Sequence, residues 1–498
     1  MQINFKQSAL MSCDSYKLGH ADQYPAGTTK VYSNFTPRSM SHFKQPECFE
    51  DNRVVWFGLQ AFLLEMKEVF DKSFFYRDKW VVCQEFKDFV APFVGPKGFD
   101  TSRIATLHDV GYLPIEVKAL PEGSKVPVGV PVLTITNTLP EFYWLPNFLE
   151  TWISSELWKS STSATTSNLY RRIIDSYAEV TGGSKEFVMW QGHDFSVRGM
   201  SGIQDSAKSG AGHLLNFLGT DNLPAVSLVQ QSYGCSFVGG SVPATEHSVM
   251  CAGGEEDEVQ TFKRLLKTYP SGVVSIVSDT WDYWNIITNT AKELKEDILN
   301  RVPDSLGLAK TVFRPDSGDP VKIIVGDPDA EVGSPQYKGS VECLWEIFGG
   351  TTNEKGYRTL NQRVGLIYGD SITPERCIAI LEGLKQKGFA SDNVVFGIGS
   401  YTFQYCTRDT LGFAMKATYV EINGQPKAIY KNPKTDSGTK KSAKGLLKVV
   451  LEEGNYKLLN DVSKEEEQQG ELRTVFKDGD FKALEDFDTL RERLANFK

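Results

Sequence analysis

The feature that most constrains the fold of this chain is a pattern between residues 187 and 400, in which a short apolar run is followed at once by a polar cluster. Stretches with helical spacing lie between several of the runs; examples are 259–269 and a stretch that begins at Thr373-Pro374 and ends near Gly388. Apolar strands that alternate with helices predict βα units and a mainly parallel sheet. The runs predicted to be strands are 187–190, 214–217, 273–277, 311–313, 364–368 and 394–396.

The polar residues that follow these strands are predicted to meet at one end of the sheet. A βα-barrel carries its site at the carboxyl ends of its strands, and a doubly wound open sheet, the competing architecture, binds ligands there too. The richest cluster is Phe313-Arg-Pro-Asp-Ser-Gly-Asp-Pro320, where a turn offers a cation, a carboxylate and backbone N–H groups. The converging candidates are Arg198, Asp221, Asp279, Arg314, Asp316, Gly369, Asp370, Gly399 and Ser400.

The two ends of the chain follow a different pattern. Short β-rich pieces in the first third suggest an antiparallel sheet, and Asn423-Gly424 is a strong hairpin signal beyond Arg408, where the βα pattern stops. A length of 498 residues exceeds one typical core, so two domains or one elaborated domain are expected. Strands are predicted at 30–35, 115–119, 130–136, 415–420 and 427–430, and helices at 54–70 and 141–180.

Composition and charge exclude several classes of protein. The net charge of -9 argues against a nucleic-acid partner, although a local basic pocket is compatible with it. The eight cysteines contain no CxxC pair, so neither a zinc site nor a redox motif is indicated. Without a signal peptide or an apolar run near 20 residues, the chain is expected to be soluble and cytoplasmic, with no membrane partner. A GxxxxGK[ST] phosphate loop and a GxGxxG dinucleotide motif are both absent.

The candidate residues are suited to an anionic, sugar-containing ligand. Arginines beside glycine-bearing loops can hold a phosphate, because guanidinium groups bind it bidentately and glycine permits close backbone approach. The carboxylates suit sugar hydroxyls or a Mg²⁺ held through water. His247 is a candidate base, nucleophile or phosphate contact, or a structural residue. Tyr16 and Phe195 either stack on a flat ring or pack in a core.

Many motifs, in order from about Cys13 to Gly479, closely resemble the nicotinamide phosphoribosyltransferases. The resemblance covers nearly the whole chain. The motifs are Asp14-Ser-Tyr-Lys17, His193-Asp-Phe195 with Arg198-Gly199, Gly219-Thr-Asp221, Ser241-Val-Pro-Ala with Glu246-His247-Ser248, Val277-Ser-Asp279, Arg314-Pro-Asp-Ser-Gly318, Gly369-Asp370, Thr407-Arg-Asp409, Ser442-Ala-Lys-Gly445 and Val475-Phe-Lys-Asp-Gly479.

The resemblance implies a type II phosphoribosyltransferase. Its fold would be α/β, with an irregular βα-barrel over residues 158–408 and a second α+β domain built from both chain ends, 1–157 plus 409–498. The implied reaction joins nicotinamide to 5-phosphoribosyl 1-pyrophosphate and releases nicotinamide mononucleotide and pyrophosphate, with Mg²⁺. It also implies ATP as a stimulatory co-substrate that acts through a phosphohistidine, and a homodimer with shared active sites.

Residue roles carry over from the same resemblance, and no residue is assigned as a direct metal ligand. His247, Asp279, Arg314 and Asp316 would be catalytic, with His247 phosphorylated and oriented by Asp279. The nicotinamide site would contain Tyr16 from the partner subunit and Phe195 on the two ring faces, with Asp221, Ser275 and Arg314 near the amide. The phosphoribosyl and diphosphate groups would meet Arg38, Arg198, His247, Arg314, Asp316, Gly369, Asp370, Gly399, Ser400, Arg408, Lys416 and Lys431.

The carboxylate of Asp221 bears on the choice of base. It can accept hydrogen bonds from the amide N–H groups of nicotinamide, and it repels the carboxylate of nicotinic acid. Both effects favour nicotinamide. The alternatives are a nicotinate phosphoribosyltransferase, a non-catalytic nucleotide-binding sensor and, more weakly, a barrel glycoside hydrolase that uses Asp279 and Asp316.

Three departures from the family pattern stand out. They are Gly397-Ile-Gly-Ser-Tyr401 in the glycine-rich loop, Ser196-Val197 after Phe195, and a lysine loop that is shifted by one residue at Lys440 and Lys441.

Overall fold

The structure, a computed structural model, describes residues 8–95, 100–430 and 443–497, and strands alternate with helices in its central part. The strands are β1 (Thr28–Thr36), β2 (Arg53–Val55), β3 (Ile115–Ala119), β4 (Lys125–Pro127), β5 (Leu133–Asn137), β6 (Gly192–Asp194), β7 (Gly219–Thr220), β8 (Val274–Val277), β9 (Thr311–Arg314), β10 (Gly350–Thr352), β11 (Arg358–Leu360), β12 (Val364–Tyr368), β13 (Val395–Ile398), β14 (Ala414–Ile422), β15 (Gln425–Ala428), β16 (Leu446–Glu452), β17 (Asn455–Val462), β18 (Arg473–Lys477) and β19 (Asp480–Phe481).

The α-helices pack around these strands. They are α1 (His20–Gln23), α2 (Leu59–Phe70), α3 (Lys79–Val94), α4 (Ser102–Val110), α5 (Leu145–Thr181), α6 (Ile203–Leu214), α7 (Leu223–Ser232), α8 (His247–Cys251), α9 (Glu258–Thr268), α10 (Tyr283–Asn285), α11 (Ala291–Glu293), α12 (Lys295–Leu299), α13 (Pro320–Val325), α14 (Pro335–Lys338), α15 (Ser340–Phe348), α16 (Pro374–Gln386), α17 (Ser400–Gln404), α18 (Lys464–Glu467) and α19 (Phe487–Asn496).

A parallel sheet occupies the centre of the chain, in the order β7-β6-β13-β12-β9-β8. Its two edge strands, β7 and β8, are bridged by residues 240–245. Gly240 makes a parallel bridge to Gly219 of β7, and Ala244 makes one to Ser275 of β8. The backbone N–H groups of Thr220 and Thr245 donate to Gly240 and Ser275 at 3.0 Å. This irregular segment therefore closes the sheet into the βα-barrel that the sequence predicts.

Four of the predicted strands of the barrel are confirmed, and they are β8, β9, β12 and β13. The other two predictions are wrong. Residues 187–190 form a 3₁₀-helix, and residues 214–217 lie at the end of α6 and in the loop behind it. The short strands β6 and β7 begin after these apolar runs. The runs themselves supply core contacts, since the buried ring of Phe217 fills the space beside Gly192.

The predicted helices are confirmed, with one correction. Helices α5, α9 and α16 match the predicted stretches, and the hydroxyl of Thr373 caps α16 by accepting from the N–H of Arg376. The predicted helix over 54–70 is wrong at its start, because residues 53–55 form β2 and pair with β4. Gly58, in a left-handed conformation with φ of 106°, separates this strand from α2.

A seven-stranded antiparallel sheet combines the two ends of the described chain, in the order β15-β14-β1-β5-β3-β18-β19. The predicted pairing of β3 with β5 and the hairpin of β14 with β15 are confirmed. Asn423 and Gly424 both have positive φ, 51° and 74°, as the tight hairpin turn requires. The second, α+β part of the fold therefore draws on both chain ends.

Helix α5 runs from one part of the fold to the other. Its first half packs in an apolar cluster with β1, β3 and β5, and its second half packs in the cluster that surrounds the barrel. The predicted boundary after residue 157 falls inside this continuous helix, and the division into 1–157 plus 409–498 and 158–408 stays a prediction. In the described ranges, no helix is both long and apolar enough to cross a membrane.

Candidate active site

The carboxyl ends of three barrel strands bring Phe195, Asp221 and Arg314 together. The guanidinium carbon of Arg314, at the end of β9, lies 5.7 Å from the centre of the Phe195 ring. The His193 ring lies 4.6 Å from the same ring, and its Nε2 is 3.0 Å from Oδ1 of Asp221, just beyond β7. An aromatic face, a carboxylate and a cation therefore lie next to one another, a combination suited to a flat ring that carries a polar group.

Asp221 is held as a carboxylate by its neighbours. Burial tends to raise its pKa, but hydrogen bonds from His193 and Ser241 and the charge of Arg314 outweigh burial, so the net pKa lies below the ordinary value. Both hydrogen bonds end on Oδ1. Since the side chain is 40% exposed, Oδ2 is available to accept a hydrogen bond from a ligand.

His247 lies next to the buried carboxylate of Asp279. Nε2 of His247 is 3.3 Å from Oδ1 of Asp279, at ion-pair distance but without the alignment of a hydrogen bond. The other oxygen, Oδ2, accepts from the N–H groups of Asp316 and Ser317, both at 2.8 Å, and from the Ser317 hydroxyl. Asp279 therefore joins His247 to the turn after β9, while His247 remains half exposed.

Asp316 has a raised pKa in this arrangement. Burial raises its pKa, and the nearby charges of Asp279 and Asp370 add to that effect, while Arg314 and His247 oppose it. Its Oδ1 has no hydrogen-bond partner among the described residues. A buried acceptor of this kind is suited to hydroxyl donors from a ligand.

The glycines after β12 and β13 let side chains approach the backbone closely. A Cβ on Gly369 would lie only 1.7 Å from Oδ1 of Asp316, and a Cβ on Gly399 would lie 2.8 Å from Oδ1 of Asp370. Gly199, beside Arg198, leaves room for Ser400 in the same way, since its Cβ would lie 2.0 Å from the hydroxyl oxygen. These contacts place Arg198, Asp316, Gly369, Asp370, Gly399 and Ser400 around one region.

Ser275 and Arg314 face the barrel interior with unused polar groups. The Ser275 hydroxyl and Nε of Arg314 are buried and have no hydrogen-bond partner within the described parts of the chain. Nη2 of Arg314 donates to the carbonyl of Thr245, which fixes the guanidinium beside the closing segment. A buried polar group without a partner is unusual in a folded protein and suits contact with a polar ligand.

The contacts shown by the other predicted residues are with different parts of the fold. Arg38 donates through Nε to the Gly412 carbonyl at 3.0 Å, which places it beside the loop that carries Arg408. Lys416 pairs with Asn34 across β1 and β14. Tyr16 contacts His20 and Lys17, and the residue is 62% exposed. Lys431, Lys440 and Lys441 lie outside the described residues.

The departures from the family pattern are spread over different environments. Ile398 is buried in the barrel core, and its carbonyl accepts from the N–H of Phe195 at 3.0 Å. Tyr401 is 58% exposed and packs against Tyr405 at a ring distance of 4.4 Å. Ser196 is fully buried behind Phe195. Of the three, only Tyr401 presents a large exposed side chain beside Ser400.

Three residues of the site are not among the site residues predicted from the ends of the strands. His193 and Ser241 hold Asp221, and Thr245 holds Arg314. The spacing of His193 and Phe195 is a usable signal, because residues i and i+2 of a strand share a face. Ser241 and Thr245 carry no such signal, since the closing segment has no β pattern.

The family of this chain follows from comparisons with known proteins. Residues 190–480 match the model of the nicotinate phosphoribosyltransferase (NAPRTase) family, and residues 8–117 match the model of the nicotinamide phosphoribosyltransferase N-terminal domain. A nicotinamide phosphoribosyltransferase of Acinetobacter baylyi is 54% identical over 99% of this chain and 98% of its own length. The chain belongs to the nicotinamide phosphoribosyltransferase family. A second relative of that name, from Mycoplasma pneumoniae, is 35% identical over 89% of this chain and 96% of its own length.

Solved structures support the fold of this nicotinamide phosphoribosyltransferase family member. A nicotinate-nucleotide pyrophosphorylase from Pyrococcus furiosus superposes with a TM-score of 0.56 at 14% identity, over 99% of this chain and 96% of that one. Human nicotinic acid phosphoribosyltransferase gives 0.55 at 16% identity, over 97% and 92%. At such low identity these likenesses establish the type II phosphoribosyltransferase fold and no more.

Proposed function

We propose that this chain transfers the phosphoribosyl group of 5-phosphoribosyl 1-pyrophosphate to nicotinamide, which gives nicotinamide mononucleotide and pyrophosphate in NAD salvage. The supporting observation is that Phe195, Asp221 and Arg314 lie next to one another at one end of the barrel. Phe195 offers a face to the pyridine ring, and the free oxygen of Asp221 accepts from the amide. The ionised Asp221 repels the carboxylate of nicotinic acid.

The reaction needs charge stabilisation more than proton transfer. The ribosyl carbon becomes cation-like as pyrophosphate leaves, and the pyridine nitrogen attacks without losing a proton. We assign Arg198, His247 and Arg314 to the departing diphosphate and the backbone around Gly369 and Gly399 to the 5′-phosphate. Asp316 would hold the ribose hydroxyls between these two ends.

Mg²⁺ would reach the site together with the diphosphate. The described residues contain no group of three or more His, Cys, Asp and Glu side chains that could hold a metal ion. The charges of Asp279 and Asp370 nevertheless raise the pKa of Asp316, and carboxylates near one another can bind the hydration shell of a substrate-bound Mg²⁺. The ion would supply further neutralisation of the leaving diphosphate.

ATP coupling through His247 also belongs to the proposal. The half-exposed imidazole beside buried Asp279 suits a group that is phosphorylated and then hydrolysed.

A homodimer with Tyr16 of one subunit on the nicotinamide of the other would supply the second ring face. A cytoplasmic location remains a prediction.

The test is a product assay with phosphoribosyl pyrophosphate and either nicotinamide or nicotinic acid. Nicotinamide mononucleotide should form with nicotinamide, and the nicotinic acid reaction should be far slower. Product with nicotinic acid alone would make the chain a nicotinate phosphoribosyltransferase, and ligand binding without product would make it a sensor.

A further inference from the structure

The relative position of Phe195 and Asp221 is not fixed by strand pairing alone. They follow β6 and β7, which share only two pairs of residues, His193 with Gly219 and Asp194 with Thr220. Strand β7 has just two residues and pairs with one named strand in the described chain. So short a ladder positions the residues beyond it only weakly, and beside the bonds of His193 and Ser241 to Asp221 a further contact must hold them.

A buried acid provides that contact on the β6 side. Asp194 directly precedes Phe195, and its side chain is fully buried. Oδ1 accepts from the N–H of Ser196 at 2.8 Å, and Oδ2 accepts from Nδ2 of Asn222 at 3.0 Å. Its backbone carbonyl accepts from the N–H of Asp221 at 3.0 Å. Asp194 therefore bonds to the turn that carries Phe195, to the backbone of Asp221 and to the side chain of Asn222.

Asn222 anchors the same network to the barrel helices. It directly follows Asp221, is fully buried, and caps α7 by accepting from the N–H of Ala225 at 3.1 Å. Its Nδ2 also donates to the Ser206 carbonyl of α6 at 3.0 Å. The network is thus tied to two helices, so a shift at β7 would break several hydrogen bonds at once.

We propose that Asp194 is a positioning residue that sets the distance between the ring-stacking Phe195 and the amide-binding Asp221, with Asn222 as its partner. The proposal rests on the proposed function, since it assumes that these two residues bind nicotinamide. A fully buried carboxylate is costly unless its oxygens are hydrogen-bonded, and both oxygens of Asp194 are. Here the bonds end on the two segments that the base would contact.

The primary test is Asp194→Asn, which keeps the size but not the two acceptors. The single amide oxygen can accept from Ser196 or Asn222, and the new NH₂ group must then face the other donor. We expect the KM for nicotinamide to rise about 10-fold or more, with the KM for phosphoribosyl pyrophosphate changed less than about 2-fold. Nicotinamide binding by calorimetry should weaken by the same factor as the KM.

Asn393→Asp is the matched control. Asn393 is also buried, accepts from the Leu360 N–H at 2.7 Å and donates to the Arg358 and Ala390 carbonyls, both at 2.8 Å, at the opposite end of the barrel. It should lower the unfolding temperature at least as much as Asp194→Asn without changing the KM for nicotinamide. Equal increases of both KM values in Asp194→Asn, with the stability loss of the control, would overturn the proposal.

Asn222→Ser tests the same link from the other side and keeps a cap acceptor for α7. It should raise the KM for nicotinamide, and the double variant should be no worse than the worse single one. Additive effects, or an unchanged KM in a folded single variant, would contradict the link. A wild-type chain that does not use nicotinamide would instead refute the proposed function.

Discussion

At the residue scale, the site depends on side chains whose charge state is set by close neighbours. Asp221 is kept ionised by two donors on one oxygen, and Asp316 is pushed toward its protonated form by burial and two other acids. Two carboxylates a few strands apart thus have opposite pKa shifts. The lowered pKa of Asp221 favours the carboxylate that accepts from an amide, and the buried oxygen of Asp316 suits contact with hydroxyl groups.

Asp221→Asn should weaken the preference for nicotinamide. The asparagine oxygen can still accept from His193 and Ser241, while its NH₂ replaces the oxygen offered to the amide. The loss of one hydrogen bond to a charged group and of the repulsion of nicotinic acid should reduce the ratio of the two kcat/KM values about 10- to 100-fold. The ratio is measured with both bases at saturating phosphoribosyl pyrophosphate. The exposed Asp297→Asn is the control, and an unchanged ratio in Asp221→Asn would refute the assigned role.

Glu258 should make the stability of the fold depend on pH. Burial, together with the charges of Glu255, Asp282 and Asp279, raises its pKa from the ordinary 4.5 to about 7. Because the folded pKa is the higher one, this group's contribution is fully present below pH 4.5 and is lost as the pH rises through 7.

Between about pH 5 and 8, the free energy of unfolding of the wild type should therefore fall by roughly 1–2 kcal/mol more than that of Glu258→Gln. The measurement is the thermal midpoint across that range, with Glu256→Gln, a change at an exposed acid, as the control. A wild-type profile with the same slope as the Glu258→Gln profile would show that this carboxyl does not titrate there.

At the element scale, the parallel strands end at one edge, so the loops after them bring their side chains and N–H groups together. The turn from Phe313 to Pro320 places Arg314 beside Phe195 and gives the Asp316 and Ser317 N–H groups to Asp279. Gly318, with φ of 91°, accepts through its carbonyl from the Tyr368 hydroxyl at 2.8 Å, which ties this turn to β12. Segment 240–245 completes the ring and carries Ser241 and Thr245 to the same mouth.

Gly369→Ala should disrupt the phosphate end of the site. The new methyl group would fall 1.7 Å from Oδ1 of Asp316, so the carboxylate or the loop must move. We expect the KM for phosphoribosyl pyrophosphate to rise about 10-fold or more, since misplacement by about 1 Å is costly to a fitted site.

Gly365→Ala on the same strand is the control for Gly369→Ala. A Cβ there meets the Lys310 stem at 3.0 Å and a Val312 methyl at 3.1 Å, at the other end of the barrel, so side-chain adjustment should absorb it. Equal KM values for the two variants would contradict the role of the Asp316–Gly369 contact.

At the scale of the whole molecule, the barrel and the antiparallel sheet bring distant parts of the chain together. Residues near the amino terminus pair with residues beyond 414 across β1 and β14, which puts Arg38, Arg408 and Lys416 in one region. Tyr16 is exposed on the segment that packs against α5 through the Lys17–Glu150 ion pair at 2.8 Å. A partner subunit could therefore receive its ring.

Subunit mixing tests a shared site. Tyr16→Ala and Asp316→Ala should each inactivate the protein, and their mixed dimer should have one intact site. Random assembly should then recover about a quarter of wild-type activity, because half of the dimers are mixed and each has one site of two. The measurement is activity of co-expressed, differently tagged subunits. No recovery in purified mixed dimers would contradict the contribution of Tyr16 in trans.

The sequence by itself determined those elements that local patterns dictate. Strands β8, β9, β12 and β13 are apolar and are followed by polar clusters. Thr373 indicates the start of α16, and Asn423-Gly424 indicates the hairpin of β14 and β15. The family motifs also named Phe195, Asp221, Arg314 and Asp316, which the fold brings to one end of the barrel.

Only the tertiary structure decided how the barrel closes and what holds its site. Segment 240–245 contains Pro243 and has no strand pattern, and β7 is too short to show one, so their pairing depends on partners far away in the chain. The bonds of His193 to Asp221 and of Asp194 to Asn222 join strand ends about 28 residues apart, a separation that local propensity does not encode. Such contacts arise when parallel strands bring their carboxyl ends to one edge.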